Sequence, residues 1–142
     1  MTTHTLAIIK PDAVGRCLTG RILAHLEGEG FVLRAARLVR LSTSQAEAFY
    51  AVHRERAFFR SLVTFMTSGP CLAFALERQD AVATLRRVIG ATDPSEAAEG
   101  TVRRLYAESK ERNAIHASDA DSTASRELAF FFAEGELAGL WG

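Results

Sequence analysis

The chain has 142 residues and a mass of 15.5 kDa, a length that suits one domain and is too short for two full ones. Apolar residues make up 48% and charged residues 24%, which excludes a disordered or fibrous protein. The 17 basic side chains balance the 17 acidic ones, so the chain has no net charge to attract a long nucleic-acid backbone or an anionic membrane. We therefore expect a single domain over residues 1–142, with any polyanion site confined to a local pocket.

The cysteines and the apolar runs indicate the cellular compartment of the protein. Cys17 and Cys71 have neither metal-ligand spacing nor the density of a disulfide framework, which favours a reducing cytoplasm. The N-terminus lacks a secretory signal pattern, and no segment approaches the ~18 consecutive apolar residues of a membrane span. We expect a cytoplasmic protein with no membrane partner.

The first strand is predicted at residues 6–9, where a wholly apolar run ends at Lys10. Apolar residues at helical spacing then predict a helix between Gly20 and Gly28. Residues 31–41 alternate between apolar and polar side chains, which predicts a half-exposed second strand. One face of that strand is expected to carry Phe31, Leu33, Ala35, Val39 and Leu41.

The middle of the chain predicts a pair of helices, a strand and a further helix. The run Ser44-Gln45-Ala46-Glu47 matches a capping box and opens a helix that is expected to continue to Val52. A second helical piece follows at residues 58–66, and an apolar strand at residues 71–76. Asp80 is expected to cap the next helix.

The C-terminal third begins with a loop of small polar residues at 91–100 and a short helix at 102–107. Residues 113–116 predict a last short strand, and a helix starts at Asp121 or Ser122. Without the extra helices this is the order of a split βαβ unit. The predicted fold is α/β of the α+β kind, a ferredoxin-like βαββαβ sandwich with a four-stranded, mainly antiparallel sheet covered by helices.

One histidine lies where a site is expected. His116 is followed by a small-residue loop and a helix N-terminus, a position that favours anion binding. Ala124 and Phe131 are helical neighbours of Glu127 and are apolar, which places its carboxylate beside the inward-facing stripe, where it needs a partner. A hydrogen bond to one nitrogen of His116 would fix the tautomer and leave the other nitrogen as a nucleophile. The alternative is an ion pair of Glu127 with Arg103, Arg104 or Arg112.

Cationic residues near predicted element ends have two interpretations. Lys10 follows a central strand, where sheet-based sites lie, but a lysine that extends from a strand end to solvent fits equally well. Arg86 stands one helical turn before Gly90, with Thr92 in the following loop. That arrangement could bind a phosphate, or it could simply cap the C-terminus of the helix. The same alternatives apply to Arg103.

Six short motifs follow one another along the chain. They are Ile8-Ile9-Lys10-Pro11-Asp12-Ala13-Val14, Phe58-Phe59 with Leu62-Val63, Met66-Thr67-Ser68-Gly69-Pro70, Gly90-Ala91-Thr92-Asp93-Pro94, Gly100-Thr101-Val102-Arg103 and Asn113-Ala114-Ile115-His116-Ala117-Ser118-Asp119. Each motif alone is weak evidence for membership of a family. In this order and register, over roughly residues 5–137, the sequence resembles the nucleoside diphosphate kinase family.

The resemblance implies a ferredoxin-like fold and a ping-pong transfer of the γ-phosphate from a nucleoside triphosphate such as ATP to nucleoside diphosphates, through a phosphohistidine. Mg²⁺ is expected to arrive with the nucleotide phosphates, with no metal site formed by the protein. The resemblance also implies a homo-oligomer, with a tetramer as the first choice and a hexamer or dimer as alternatives. The half-exposed strand at residues 31–41 is a candidate pairing edge.

The resemblance also assigns site residues by motif position. His116 would be the nucleophile, oriented by Glu127, with Tyr50 and Ser118 lining the ring. The expected nucleotide contacts are Lys10 and Asn113 with sugar and phosphates, Arg86, Thr92 and Arg103 with phosphate oxygens, and Phe58 stacked on the base with Leu62 beside it. Because every base has a π-face, stacking on Phe58 predicts broad nucleotide tolerance.

Several positions depart from the family pattern. Ala57 replaces a usual Pro, Val52 a common acidic residue, Arg104-Leu105 a small residue followed by Asp, and Ala117 and Ala120 a usual Gly and Ser. None removes a group expected to touch phosphate, so activity is expected. The carboxylates missing at Val52 and Leu105 leave a second hypothesis, a weak family member that serves as a nucleotide-binding or scaffold module. A ferredoxin-like RNA-binding domain is a third, disfavoured because the strands lack paired exposed aromatics.

Overall fold

A computed structural model describes residues 3–141, with side chains described up to residue 138. In that part of the chain the elements are, in order, β1 (His4–Ile9), α1 (Pro11–Gly15), α2 (Thr19–Gly28), β2 (Val32–Val39), α3 (Thr43–Phe49), a 3₁₀ turn (Ala51–His53), α4 (Phe59–Met66), β3 (Cys71–Glu77), α5 (Ala81–Ile89), α6 (Val102–Tyr106), β4 (Ile115–Ala117), α7 (Asp121–Phe131) and α8 (Glu134–Trp141). No helix in that part is long and apolar enough to cross a lipid bilayer.

The four strands form one sheet in the order β2-β3-β1-β4, and all three pairings are antiparallel. This confirms the predicted ferredoxin-like α/β sandwich. The short strand β4 pairs only with the end of β1, where His116 lies opposite Ile8. His116 and Lys10, the residue after β1, are thereby brought to the same edge of the sheet.

Two apolar clusters pack against the two faces of the sheet. Ala7 and Ile9 belong to the cluster beneath α2 and α5, whereas Leu6 and Ile8 belong to the cluster beneath α3, α4 and α7. All four side chains are fully buried. The wholly apolar run of β1 therefore reflects a central strand covered on both faces, as predicted.

The prediction of a single apolar face for β2 is wrong. A bulge lies between Leu33, which pairs with Leu76, and Ala35, which pairs with Ala75. The extra residue moves the odd-numbered side chains to the opposite face from Ala35 onward, because side chains alternate with a period of two. Leu33 is therefore 39% exposed, while Ala35 and Val39 pack against the cluster on the other face.

The capping box was predicted two residues too late. Ser42 is the N-cap of α3: its hydroxyl accepts a hydrogen bond from the Gln45 N–H, and the Gln45 side chain accepts one from the Ser42 N–H. The helix ends at Phe49 and a 3₁₀ turn replaces its expected last turn up to Val52. This turn lets Tyr50 stay buried while Val52 is 77% exposed.

Other predicted boundaries shift by a few residues or lack the expected cap. Asp80 occupies the N-cap position of α5, but its backbone is left-handed, with φ of 55°, and its side chain makes no capping bond. The last strand runs from Ile115 to Ala117 and so includes His116 within it. Two helices were not predicted: the short α1, which starts at Pro11, and α8 after the last motif.

Candidate active site

A cleft of about 690 Å³ opens where α3, α4, α5, α6 and α7 meet the edge of the sheet. Ten of the side chains predicted from the sequence line it: Lys10, Tyr50, Phe58, Leu62, Arg86, Thr92, Arg103, Asn113, His116 and Glu127. Ser118, the remaining predicted residue, is fully buried and hydrogen-bonded to Glu127 behind the cleft. The structure therefore brings all the predicted side chains together.

The central contact of the cleft is between His116 and Glu127. The His116 Nε2 lies 2.8 Å from Glu127 Oε1, so Nε2–H donates to the carboxylate. The Ser118 hydroxyl donates to the same oxygen at 2.7 Å, and Arg126 Nη2 lies 3.6 Å from Oε2. This arrangement fixes the imidazole tautomer and leaves Nδ1 with the lone pair. The alternative pairing of Glu127 with Arg103, Arg104 or Arg112 is not formed.

The protonation of this pair follows from its surroundings. Burial lowers the pKa of His116 below its ordinary value, and this outweighs the opposing effect of the Glu127 carboxylate. For Glu127, burial alone would raise the pKa, but hydrogen bonds from His116 and Ser118 hold it below its ordinary value. At neutral pH the site therefore holds a neutral imidazole against an ionised carboxylate, the state in which a histidine is nucleophilic.

Aromatic rings fix the imidazole from its other sides. The Phe49 and Tyr50 rings pack edge-on against His116, with centroids 5.3 and 5.9 Å away. The ring keeps 19% of its side-chain surface exposed towards the cleft. Burial raises the pKa of Tyr50, which stays a neutral hydroxyl and has no hydrogen-bond partner among the described residues. Tyr50 therefore offers an unused O–H donor beside His116.

Lys10 and Asn113 form the second contact pair of the cleft. Lys10 Nζ donates to Asn113 Oδ1 at 2.9 Å, and Asn113 Nδ2 donates to the Thr92 carbonyl at 3.3 Å. Lys10 is 7% exposed. Burial, together with the nearby charge of Arg103, lowers the pKa of Lys10 to about 8. The lysine is thus still charged at neutral pH but desolvated, which strengthens its attraction for an anion.

Arg103 is a buried cation held by backbone carbonyls. Its Nη1 donates to the Gly90 carbonyl at 3.0 Å and its Nη2 to the Ile115 carbonyl at 2.7 Å. Its Nε is buried and has no partner within the described residues. Burial and the neighbouring Arg86 lower the pKa of Arg103 to about 10, so it remains charged. The guanidinium groups of Arg86 and Arg103 and the Lys10 ammonium bond to no carboxylate of the described residues, and this makes their part of the cleft an anion site.

Gly90 allows this arrangement of α5 and α6. Its φ is 89°, and an added Cβ would lie 2.6 Å from the Thr101 hydroxyl oxygen, so no other residue fits without a shift. Thr101 in turn accepts the Arg104 N–H and caps α6, which carries Arg103. Arg86, in the last turn of α5, donates weakly to the Ala117 carbonyl at 3.4 Å. The helix ends therefore place both arginines beside the strand that carries His116.

The other end of the cleft is apolar and open. Phe58 precedes α4 and is 48% exposed, with Leu62 one turn further along the helix. His53, which sequence reasoning missed, lies 5.4 Å from Phe58 and 6.5 Å from Tyr50, measured between ring centroids. No spacing or motif singled it out, because the irregular turn at residues 51–53 brings it to the cleft. This end offers flat apolar faces of the kind on which a base stacks.

Among the positions that depart from the family pattern, Val52 and Ala117 line this cleft. Val52 lines the mouth, and Leu105 is 54% exposed outside it. At Ala120 the Thr123 hydroxyl oxygen accepts the backbone N–H at 3.0 Å and its hydrogen is donated to Asp119 Oδ1 at 2.7 Å. Thr123 thus makes only the second half of a capping box, because an alanine at the N-cap of α7 has no side-chain oxygen to accept an N–H of the first turn.

Comparison with known proteins identifies the family to which this sequence and this fold are similar. A family model described as nucleoside diphosphate kinase matches residues 3–137. A nucleoside diphosphate kinase from Sorangium cellulosum is 54% identical over 135 residues, 95% of this chain and 94% of the relative. One from Halorhodospira halophila is 55% identical over 134 residues, 94% of this chain and 95% of the relative.

Solved structures of nucleoside diphosphate kinases are similar to the structure of this chain. The Aquifex aeolicus nucleoside diphosphate kinase superposes with a TM-score of 0.92 at 43% identity, covering 94% of this chain and 97% of that one. A halophilic nucleoside diphosphate kinase from Halobacterium salinarum, solved in complex with CDP, gives a TM-score of 0.91 at 38% identity, covering 96% and 91%. With a family model matched along almost its whole length and relatives above half identity, this chain belongs to the nucleoside diphosphate kinase family.

Proposed function

We propose that this chain moves the γ-phosphate of a nucleoside triphosphate to a nucleoside diphosphate by way of Nδ1 of His116. The single observation that carries the proposal is the contact between His116 Nε2 and Glu127 at 2.8 Å, which leaves Nδ1 free in a cleft whose lining includes Lys10, Arg86 and Arg103. An isolated histidine would not be informative. A neutral imidazole fixed in one tautomer beside Lys10, Arg86 and Arg103 is suited to attack a phosphate.

The reaction has two symmetrical steps. In the first, Nδ1 attacks the γ-phosphorus, the bond from that phosphorus to the bridging oxygen breaks, and the nucleoside diphosphate leaves with the electron pair. Phosphorylation places positive charge on the imidazole ring, and the Nε2–H bond to ionised Glu127 stabilises it. In the second step a terminal oxygen of another nucleoside diphosphate attacks the same phosphorus and the Nδ1 bond breaks, which restores neutral His116.

The cations of the cleft stabilise the charge that spreads over the transferred group. Phosphoryl transfer depends on positioning and electrostatics rather than on further covalent chemistry. Arg103 is held by the Gly90 and Ile115 carbonyls and Lys10 by Asn113, so both cations are fixed before substrate binds. Preorganised donors of this kind need little rearrangement in the transition state.

We propose Mg²⁺ as the accompanying metal, held chiefly by the nucleotide phosphates. Within the described residues no three His, Cys, Asp or Glu side chains converge as a metal site. Of the three carboxylates that line the cleft, Glu127 is engaged by His116, while Asp119 stays ionised because its Thr123 hydrogen bond lowers its pKa. Asp119 interacts electrostatically with Arg86 and His116, so it is the carboxylate that would approach a phosphate-bound Mg²⁺, and that ion would further neutralise the phosphate charge.

The base end of the cleft supports tolerance for different nucleosides. Phe58 offers a half-exposed ring, and Leu62 an apolar side chain beside it. Stacking alone does not distinguish bases, because each presents a π-face. We therefore expect the chain to accept purine and pyrimidine nucleotides.

The experiment that tests the proposal measures transfer from ATP to GDP. His116→Ala should abolish transfer. The matched control is His53→Ala, which removes another histidine of the same cleft and should retain transfer within about tenfold of the unmodified chain. Unchanged transfer by His116→Ala would refute the proposal. Nucleotide binding without transfer by the unmodified chain would favour the second hypothesis, a binding or scaffold module.

We further propose a homo-oligomer of this single-domain chain, acting in the cytoplasm. The edge strand β2 exposes Val32, Leu33 and Leu38 at 45, 39 and 65%. An apolar sheet edge of this kind is usually covered by another chain. Light scattering should give a multiple of the chain mass, with a tetramer expected ahead of a hexamer or dimer, and should drop to a smaller species for Leu38→Lys.

A further inference from the structure

The backbone just before the candidate nucleophile adopts an unusual conformation. Ala114 has φ of 74°, in the left-handed region that side chains with a Cβ disfavour. The Ile115 N–H donates to the Asn113 carbonyl at 2.9 Å, across Ala114 alone. A hydrogen bond between residues two apart around a positive φ defines the rare, strained form of γ-turn. Such strain persists only where the surroundings hold it in place.

The contacts that hold the turn come from the segment after β1. The Ala114 carbonyl accepts the Lys10 N–H at 2.9 Å, and the Ala114 N–H donates to Asp12 Oδ2 at 3.1 Å. Both backbone groups of Ala114 are thus satisfied from outside the turn. Of these two bonds, only the one accepted by Asp12 involves a side chain. That bond therefore depends on which residue stands at position 12.

Asp12 is otherwise hard to explain. It lies in the first turn of α1, is 5% exposed and does not line the cleft. Its second oxygen, Oδ1, has no hydrogen-bond partner within the described residues. Burial raises its pKa, while Lys10 and the N–H groups of Ala13 and Ala114 oppose the rise. A buried carboxylate has an unfavourable solvation energy, so its retention here calls for a compensating role.

We propose that Asp12 is a positioning residue for phosphoryl transfer, which holds the γ-turn at residues 113–115 and thereby sets the places of Asn113 and His116. Asn113, on one side of the turn, fixes Lys10 through its Oδ1. His116, on the other side, lies two residues beyond Ala114. Relaxation of φ at Ala114 would therefore displace a cation and the nucleophile together. This inference rests on the proposed function of His116.

The test compares four proteins: the unmodified chain, Asp12→Ala, Ala114→Gly and the double variant. The readout is the rate at which His116 gains phosphate from saturating ATP in a single turnover. Asp12→Ala should slow this step about a hundredfold, because misplacement by an ångström has an effect of that size. Ala114→Gly should stay within about threefold, since glycine adopts a positive φ without strain.

The decisive comparison is the double variant. Glycine keeps the turn without help from Asp12, so Asp12→Ala with Ala114→Gly should recover to within about threefold of the rate of Ala114→Gly. A carboxylate that served only stability would not be replaced in this way. Asp12→Asn, which keeps an acceptor oxygen, should also stay within about threefold. The matched control Asp80→Ala removes an exposed aspartate that makes no capping bond, and should leave the rate unchanged.

The remaining outcomes contradict the inference. Phosphorylation of Asp12→Ala at the unmodified rate would show that the turn needs no carboxylate. A double variant as slow as Asp12→Ala would show that Asp12 acts by another route. If Asp12→Ala does not fold, the double variant must still fold and phosphorylate, and its failure to do so overturns the proposal. Absence of phosphate on His116 in the unmodified chain would instead count against the proposed function.

Discussion

The two ends of the cleft are built differently. At the phosphate end Lys10, Arg103 and Glu127 are between 5 and 7% exposed, and each is held by at least one hydrogen bond of 3.0 Å or less. At the base end Phe58 is 48% exposed and Val52 is 77% exposed. The reacting groups are therefore fixed before the substrate arrives, whereas the base meets a surface that imposes little geometry.

This comparison predicts unequal sensitivities. Changes at the phosphate end should reduce the chemical rate, because the charges there are desolvated and directed. Changes at the base end should reduce affinity alone, because the contacts there are apolar and common to ground state and transition state.

Arg103→Gln should have the largest effect. Removal of a cation that neutralises the transferred phosphoryl group is expected to lower kcat about a thousandfold. The Gly90 and Ile115 carbonyls also lose a donor, so the free energy of unfolding should fall by about 1–3 kcal/mol. Steady-state transfer and urea unfolding measure the two effects. The control Arg104→Gln changes an exposed neighbour in the same helix, and equal losses for both variants would contradict the assignment.

Glu127→Gln should lower kcat about a hundredfold while binding changes little. The amide still accepts the His116 hydrogen bond but no longer stabilises positive charge on the ring. Since the carboxylate raises the pKa of His116, its removal should lower that pKa further below the ordinary value. NMR titration of the ring measures the shift. Glu111→Gln, another carboxylate lining the cleft, is the control and should leave both quantities unchanged.

Lys10 should give the cleft a pH-dependent affinity. With its pKa lowered to about 8, the free side chain loses its charge as the pH rises through that value. Binding of a phosphate then requires uptake of one proton, so ADP affinity should fall about tenfold per pH unit above pH 8. Calorimetric titrations between pH 7 and 9.5 measure the slope. Lys10→Met should bind more weakly at pH 7 and show no slope, and a persisting slope would assign it to another group.

Phe58→Ala should have the smallest effect of the four. At a half-exposed ring the loss of stacking is expected to weaken binding by about 1 kcal/mol, which raises KM about fivefold with kcat unchanged. GDP and CDP should be affected alike. The control is Leu105→Ala, an exposed apolar residue outside the cleft. A fall in kcat for Phe58→Ala would show that the base end takes part in the chemical step.

Much of the fold can be predicted from the local pattern of apolar and polar residues in the sequence. The apolar run of β1 identified a strand buried on both faces because solvent contacts neither side of it. The bulge at Leu33 was not visible in the sequence, because one extra residue leaves the alternation intact on each side of it. The short helix α1 was also missed, since five residues are too few to show a helical period.

The site was predicted more completely than the elements that carry it. The apolar neighbours of Glu127 indicated an inward carboxylate, but pattern alone left His116 and three arginines as possible partners. The motifs of the family resolved that choice, and the geometry confirms the contact with His116. His53 and the Asp12 bond to Ala114 escaped both approaches, because they depend on an irregular turn and on a strained backbone that spacing does not encode.

If His116 is the nucleophile, brief exposure of the chain to ATP and Mg²⁺ should leave a phosphate on that residue. Mass spectrometry should find one acid-labile phosphoryl group on His116, and ³¹P NMR should identify Nδ1 as the nitrogen that bears it, because Nε2 is engaged by Glu127. Addition of GDP should remove the group and yield GTP. A phosphate on Nε2 or on another residue, or no phosphate at all, would contradict the role of His116 Nδ1 as the nucleophile.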